Sequence, residues 1–210
     1  MILIGQFDSP FVRRVAISMR LMDVPFEHYP WSVFGDAEKI ARYNPLMRVP
    51  TLVLDGGEAL LESAAILDTL EDMSDVTMMP LDSGDRRKAL RVCALATGIA
   101  DKAVSLAYET IIHNRATPAW VERCLSQIAG ALGQLELSRN AHTTEWWFGE
   151  NIGFADVTVA CVLRFLGDAH PGMFDLSEGW PLLAAHAARC EAMPVFQEIQ
   201  QPFHVAISNA

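Results

Sequence analysis

Three short stretches of the chain carry residues that could hold a small polar ligand. Ser9 lies in D-S-P-F, between a short apolar run and a helical pattern. Val49-Pro50 precedes a second apolar run. Glu62-Ser63 precedes a second helical pattern. Hydroxyl and N–H groups at a helix start favour anions, because the N-terminus of a helix is its positive end. The helix start at Ser63 could therefore help to hold a carboxylate or a phosphate.

Each stretch also has a simpler structural interpretation. Ser9 can be only the N-cap of a helix whose first residue is Pro10. Pro50 can be trans and mark a strand start, or cis, in a tight turn that presents the backbone of Val49 to a ligand. Ser63 can likewise be an N-cap and nothing more. The residues alone leave these alternatives open.

The apolar spacing predicts a mixed first part followed by a helical second part. The turn Asp55-Gly56-Gly57 predicts a hairpin. Proline and glycine between residues 75 and 84 indicate a linker. The predicted strands are 2–4, 25–29, 51–54 and 59–61, and the predicted helices begin at Pro10, within 31–41 and at Ser63. Further helices are predicted at about 85–114, 118–139, 154–169, 180–192 and 195–200.

Composition excludes several classes of function. The net charge is −10 and the sequence pI is about 5.0, so the chain lacks the basic surface of a nucleic-acid or anionic-membrane binder. Its apolar runs are shorter than the ~18 residues of a membrane span, and its first residues do not resemble a signal peptide. The four cysteines form no C-x-x-C pair and the six histidines show no ligand spacing. We expect a cytoplasmic protein with reduced, buried thiols and no metal.

The order of these motifs resembles the glutathione transferase family, in its bacterial, serine-type, theta/zeta-like form. The similar segments are V-P-T-L, a hairpin and E-S-A-A-I, together with D-S-P-F-V-R-R-V at the first turn. The resemblance implies an α/β thioredoxin-like glutathione-binding domain at 1–74, a linker at 75–84 and an all-α domain at 85–210. It also implies glutathione as co-substrate and no metal or prosthetic group.

The resemblance assigns roles to the first three stretches. Pro50 would be cis, and Val49 would pair through its backbone with the cysteinyl part of glutathione. Glu62 and Ser63 would bind the γ-glutamyl end. Ser9 would donate a hydrogen bond to the glutathione sulfur. A serine at this turn cannot form a mixed disulfide, so thiol–disulfide exchange is not the expected chemistry.

Two further sites lie in the helical part. Asp101, three residues after Gly98, is either a solvated aspartate or, by the resemblance, a residue that reaches across a homodimer to the amino group of glutathione. Asp156 and Gly153 match the family's capping signature at the start of a central helix. Because Gly153 has no side chain, only half of the capping box remains. Their role is structural.

The expected reaction is attack of the glutathione thiolate on an electrophile. Lowering a thiol pKa from about 8.5 by about two units requires roughly 2.7 kcal/mol. One hydrogen bond to the charged sulfur supplies ~1.5–3 kcal/mol. The apolar residues predicted near the second substrate favour a hydrophobic electrophile. The alternatives are a non-catalytic glutathione-fold binding or regulatory protein, and a glutathione-dependent isomerase or peroxidase. D-S-P-F lacks the serine-cysteine turn of the zeta-type isomerases.

Overall fold

The computed structural model describes residues 1–203 of the 210-residue chain. Backbone contacts divide it into two units. The first combines residues 1–78 with the segment that begins at Pro194, and the second comprises residues 79–193. None of the helices within residues 1–203 combines the length and apolar character that crossing a bilayer requires.

The first unit is a four-stranded mixed sheet with helices, as the α/β prediction requires. The strand order is β2-β1-β3-β4. β1 and β2 are parallel, and β3 is antiparallel to both β1 and β4. Its elements are β1 (Ile2–Ile4), α1 (Pro10–Leu21), β2 (Glu27–Tyr29), α2 (Ala37–Ala41), β3 (Thr51–Val53), β4 (Ala59–Leu61), α3 (Ser63–Met73) and α9 (Pro194–Glu198).

Both faces of the sheet are buried. Ile4 and Val53 form a cluster with Ile40 of α2 on one face. Leu3 and Leu52 are paired in register, and neither has exposed surface. Because successive side chains of a strand point to opposite faces, these two leucines lie on the other face. Covering both faces explains why the central strands β1 and β3 are buried and largely apolar, whereas the edge strand β2 carries Glu27 and His28.

A buried arginine attaches the C-terminal segment to α1. The Arg13 side chain is only 3% exposed. Its Nε donates to the carbonyl of Ile199 at 2.8 Å, and its Nη2 donates to that of Phe196 at 2.9 Å. Both carbonyls belong to the end of α9 or follow it, where helix carbonyls have no partner within the helix. Arg13 thus gives both buried carbonyls a hydrogen-bond donor. The two carbonyl oxygens in turn stabilise the buried positive charge of Arg13.

The second unit is all helical. Helices α4, α5, α6 and α8 pack against one another in the pairs α4–α6, α4–α5, α6–α8 and α5–α8. After α4 the helix continues as one π-helical segment, with the N–H of His113 donating to the carbonyl of Tyr108 at 2.9 Å. The elements are α4 (Ser83–Ala107), the π-helix (Tyr108–Ile112), α5 (Pro118–Asn140), α6 (Phe154–Ala169), α7 (Leu176–Gly179) and α8 (Pro181–Glu191).

Helix α6 forms the centre of this unit, and a carboxylate is buried at its start. Asp156 is 1% exposed. Its two oxygens accept the N–H groups of Gly153 and Trp147, each at 2.9 Å. Burial raises the pKa of Asp156 to about 6, although the two donors act to lower it. His186 of α8 lies 3.8 Å from the carboxylate, and burial lowers the pKa of this histidine to about 4.

Most helix and strand positions agree with the sequence predictions, and the differences have local causes. The β2 strand begins at Glu27 rather than at residue 25, because Pro25 has no N–H to give to a sheet. α4 begins at Ser83, two residues before the predicted start, because the Asp82 carboxylate caps it by accepting the N–H groups of Gly84 and Asp85. The single-turn α7 and the π-helix were not predicted.

Replacing Arg13 by methionine should lower the free energy of unfolding by about 2–4 kcal/mol, because two buried carbonyls lose charged donors. The matched control is Arg20→Met. Arg20 also lies on α1 and pairs with Glu198 of α9 at 3.2 Å, but its side chain is 41% exposed. That exposed pair should contribute below about 1 kcal/mol. Urea unfolding of both variants measures the difference, and equal losses would contradict the role given to Arg13.

The Asp156→Asn variant should lose more stability at about pH 4.5 than at about pH 7.5, by about 2 kcal/mol. The folded pKa, about 6, exceeds the ordinary value of 3.8. The neutral carboxyl therefore stabilises the fold at low pH, and this contribution is lost as the pH rises through about 6. Asparagine does not titrate, so the variant lacks this pH-dependent contribution to stability.

His186→Gln is the control for this pH dependence. The pKa of His186 is lowered by folding, so its protonation destabilises the fold as the pH falls below about 6.5. Its removal should therefore cost less at low pH, which is the opposite sign. Urea unfolding followed by tryptophan fluorescence at both pH values provides the comparison. A loss for Asp156→Asn that is the same at both pH values would refute this electrostatic interpretation.

Candidate active site

Ser9 caps α1 and keeps a hydrogen to donate. Its Oγ accepts the N–H of Val12 at 3.4 Å, and its carbonyl accepts the N–H of Arg13 at 2.9 Å. Pro10 occupies the first helical position, and the first turn contains no acidic residue. Since Oγ is the acceptor in the cap, the hydroxyl hydrogen can be donated to another atom. This is what stabilisation of an anion at this helix start requires.

Three long-range contacts hold the turn before Ser9. The ring of Phe7 stacks on that of His28, with centroids 3.8 Å apart. The Nε2 of His28 lies 2.7 Å from the carbonyl oxygen of Gly5, and the Phe7 N–H donates to Oε1 of Gln201 at 3.2 Å. Burial lowers the pKa of His28, so the ring is neutral near pH 7 and donates from Nε2. No spacing or motif in the sequence predicts these contacts.

Gly5 brings the Val49 loop close to α1. Its φ is +130°, and a Cβ at this position would lie 2.5 Å from Cγ2 of Val12 and 2.8 Å from Cβ of Val49. Real Cβ atoms are not found at such distances from other atoms, so only glycine fits here. The close approach places the backbone of Val49 beside the helix that Ser9 begins.

The peptide bond between Val49 and Pro50 is cis. Within residues 1–203, neither the N–H nor the C=O of Val49 has a hydrogen-bond partner. The loop before it is held by Asn44, which is 1% exposed. The Asn44 amide donates to the carbonyl of Arg48 at 2.9 Å and to Oγ1 of Thr51 at 3.1 Å. The loop that Asn44 holds thus presents the unpaired N–H and C=O of Val49.

At the third stretch, Glu62 rather than Ser63 occupies the N-cap position of α3. Glu62 has a φ of +67°, and its side chain makes no capping bond. Its carboxylate instead pairs with Nη1 of Arg48 at 3.0 Å, with both side chains exposed. Ser63 is the first helical residue and is 4% exposed. The first N–H groups of α3 have no acceptor within the helix, so they and the Ser63 hydroxyl can receive a carboxylate.

The sheet register brings these three stretches to the same end of the sheet. Ile4 pairs with Thr51, and Thr51 pairs with Leu61. β1 ends at Ile4, β3 begins at Thr51 and β4 ends at Leu61. The turn that leads to Ser9, the Val49 loop and the Glu62-Ser63 junction therefore follow or precede neighbouring strands. Two strand spacings cover about 10 Å.

The remaining predicted site residues lie in the second unit. Asp101 is exposed on α4. A Cβ at Gly98 would meet no atom within 4 Å, so the chain itself leaves room beside this position. Gly153 and Asp156 form the start of α6 described above. Among residues 1–203 there is no group of three His, Cys, Asp or Glu side chains that could hold a metal ion. The four cysteines are free thiols, and Cys93 is only half-buried.

Family models and sequence relatives both indicate glutathione S-transferases. Residues 3–76 match the model of the glutathione S-transferase N-terminal domain, and residues 118–189 match that of the C-terminal domain. Glutathione S-transferase U8 of Arabidopsis thaliana is 24% identical over 96% of this chain and 83% of its own length. The uncharacterized GST-like protein YibF of Escherichia coli is 33% identical, over 47% of this chain and only 50% of its own length.

Solved structures agree with these sequence matches. A glutathione S-transferase of Methylobacterium radiotolerans, in complex with glutathione sulfonate, has a TM-score of 0.90 and 27% identity, covering 100% of this chain and 98% of that one. A zeta-class bacterial maleyl pyruvate isomerase has a TM-score of 0.82 at 21% identity, covering 96% and 99%, which shows a shared fold alone. With both domain models matched over most of its length, the chain belongs to the glutathione S-transferase family.

Proposed function

We propose that this chain is a glutathione transferase that binds glutathione along the end of its sheet and transfers the glutathione thiolate to an electrophile. The observation that carries this proposal is the common position of three complementary groups at one end of three neighbouring strands. They are the Ser9 hydroxyl, the unpaired Val49 backbone and the start of α3 at Ser63. An extended tripeptide measures about 10 Å, which is also the distance that two strand spacings cover.

Each group has a matching part of glutathione. The cysteinyl residue pairs with the N–H and C=O of Val49, as an added strand pairs with a sheet. The γ-glutamyl carboxylate accepts from Ser63 and the first N–H groups of α3. Glu62, held by Arg48, is the acidic group that the γ-glutamyl amino group needs. The sulfur then lies at the turn where Ser9 donates its hydroxyl hydrogen.

Catalysis rests on ionisation of the sulfur. A hydrogen bond to the thiolate that is weaker to the neutral thiol lowers the thiol pKa, and the positive end of α1 acts in the same direction. The first turn of α1 contains no acid that would oppose this effect. The ionised sulfur is then held at a fixed position for attack on the electrophile.

The proposal extends to the location, the oligomeric state and the substrate class of the protein. A cytoplasmic homodimer that detoxifies hydrophobic electrophiles fits the family. A glutathione-dependent isomerase is the second candidate, since the fold is shared with the zeta-class maleyl pyruvate isomerase. D-S-P-F still lacks the serine-cysteine turn of that class. Activity on a chlorinated nitroaromatic, on a hydroperoxide and on a maleyl substrate separates transferase, peroxidase and isomerase. Activity on none of them, with glutathione bound, supports a binding protein instead.

Ser9→Ala should raise the pKa seen in the pH profile of kcat/KM for a chlorinated nitroaromatic by about one to two units, because the thiolate loses its donor. The rate near pH 6.5 should fall about 10- to 100-fold, with a much smaller loss at alkaline pH, where the thiol ionises unaided. The KM for glutathione should change little, since the other contacts remain.

Thr117→Ala is the matched control for Ser9→Ala. Thr117 caps α5 in the same way, accepting the N–H of Trp120 at 3.4 Å with Pro118 at the first position. Its loss should cost about 1 kcal/mol of stability without moving the pH profile. An unshifted profile for Ser9→Ala would remove the catalytic role of this serine.

Asp101→Ala should weaken glutathione binding about 5- to 10-fold, because a charged group that meets the glutathione amino group contributes on the order of 1 kcal/mol. The proposed contact crosses the dimer, from α4 of one subunit to the site of the other. Asp85→Ala, on the same helix and paired with Lys88, should leave affinity unchanged. Calorimetric titration measures both, and unchanged affinity in Asp101→Ala would exclude the contact.

A further inference from the structure

A polar cavity lies in the helical unit, where α5 ends beside α8. Its volume is about 150 Å³. Arg139, Asn140 and His142 line it from the end of α5 and the turn that follows. His186 and Arg189 line it from α8. We call it the arginine cavity. None of its residues belongs to the candidate active site of the first unit, so what it binds is independent of the proposed transferase function.

The two arginines of the cavity converge on one carbonyl oxygen. Nη2 of Arg139 donates to the backbone oxygen of Glu145 at 3.0 Å, and Nη1 of Arg189 donates to the same oxygen at 2.7 Å. Both guanidinium groups also lie 5.9 Å from an indole ring, that of Trp147 for Arg139 and that of Trp146 for Arg189. Two cations are therefore held side by side against aromatic surface.

Neither arginine forms an ion pair with a carboxylate, although the charge of Arg139 acts to lower the pKa of the buried Asp156 carboxyl. No Asp or Glu side chain of residues 1–203 forms an ion pair with Arg139 or Arg189. Two acidic groups of the helical unit have other hydrogen-bond partners. The Asp156 oxygens accept the N–H groups of Gly153 and Trp147, and those of Glu136 accept the first N–H groups of α8, at Leu182 and Leu183. The two positive charges at one oxygen repel each other, and an anion beside them would reduce this repulsion.

The positive charges of the cavity also lower the pKa values of its two histidines, His142 and His186. The pKa of His186 is lowered first by burial, and the charges of Arg139 and Arg189 lower it further. The pKa of His142 is lowered by burial and then by Arg139 and Lys88, with Asp85 acting against them. His186 is 1% exposed, and its Nδ1 has no hydrogen-bond partner among the residues described. Because Nε2 of His186 donates to the carbonyl of Asp156 and the ring is neutral, this Nδ1 is an acceptor, so the anion affinity of the cavity rests on the two arginines.

We propose that the arginine cavity binds a small oxyanion, the phosphate or carboxylate group of a metabolite. Guanidinium forks match the paired oxygens of both groups, and the Asn140 amide adds a neutral donor. A water molecule occupies about 30 Å³ in the liquid, so the cavity accommodates a group of a few heavy atoms rather than a whole large ligand. The body of the metabolite extends to solvent, where Asn140 and Arg189 are exposed.

The test is calorimetric titration of the full chain with inorganic phosphate, and separately with acetate, at constant ionic strength in a chloride buffer without glutathione. We expect saturable 1:1 binding of at least one anion. Arg189→Gln should weaken it about 10-fold or more, because one fork is lost. Arg189 suits this test because it makes a single hydrogen bond, whereas Arg139 also holds the carbonyls of His142 and Thr144.

Arg123→Gln is the matched control, since Arg123 is an exposed arginine of α5 outside the cavity. The anion affinity of this variant should equal that of the wild type. Asn140→Ala, an exposed position, serves as a second variant and should weaken binding about 3- to 5-fold. Preference for phosphate or for acetate identifies the type of oxyanion. Absence of saturable binding of both anions overturns the proposal. So does binding that both cavity variants leave unchanged, which would mean an adventitious ion only.

Discussion

The structure depends on one close approach, at the residue where the first strand ends. Gly5 has a φ of +130°, and its missing side chain lets Val12 of α1 and the Val49 loop meet within distances that a methyl group would fill. Any other residue would have to separate the helix from the loop. Separation would also move the Ser9 hydroxyl away from the Val49 backbone. Packing at one glycine thus sets the geometry on which the proposed thiolate chemistry relies.

Helix α1 combines the chemical and the structural roles. At its start, Ser9 uses its oxygen for the cap and leaves its hydrogen for a ligand. One turn later, Arg13 is buried against the carbonyls of the C-terminal segment. The same segment supplies Gln201, whose side chain accepts the N–H of Phe7 two residues before Ser9. The end of the chain therefore supports the turn that carries the proposed donor, and the turn does not rely on local contacts alone.

Local signals were enough to predict the main elements. Ser9-Pro10 and Thr117-Pro118 each mark a helix start because cap and first residue are adjacent in the chain. Asp55-Gly56-Gly57 predicts the hairpin for the same reason. The predicted mixed sheet and all-helical second part are confirmed. The roles assigned to individual site residues rest on family resemblance and stay predictions until the variants are measured.

What the sequence could not predict involves residues far apart in the chain. Arg13 and Ile199 are 186 positions apart, and Phe7 and Gln201 are 194 apart. No periodicity or motif connects such pairs. The left-handed φ of Glu62 was missed because glutamate rarely adopts it. The arginine cavity was missed because Arg139 and Arg189 resemble ordinary surface charges in the sequence, and only the fold brings both to the carbonyl of Glu145.

A crystal structure of the wild-type chain with glutathione tests the central claim most directly. The account predicts that the cysteinyl N–H and C=O of glutathione pair with the backbone of Val49. It also predicts that the sulfur lies within about 3.5 Å of the Ser9 hydroxyl oxygen, near the long limit of a hydrogen bond to sulfur. Glutathione bound elsewhere, or bound here with its sulfur directed away from Ser9, would contradict it.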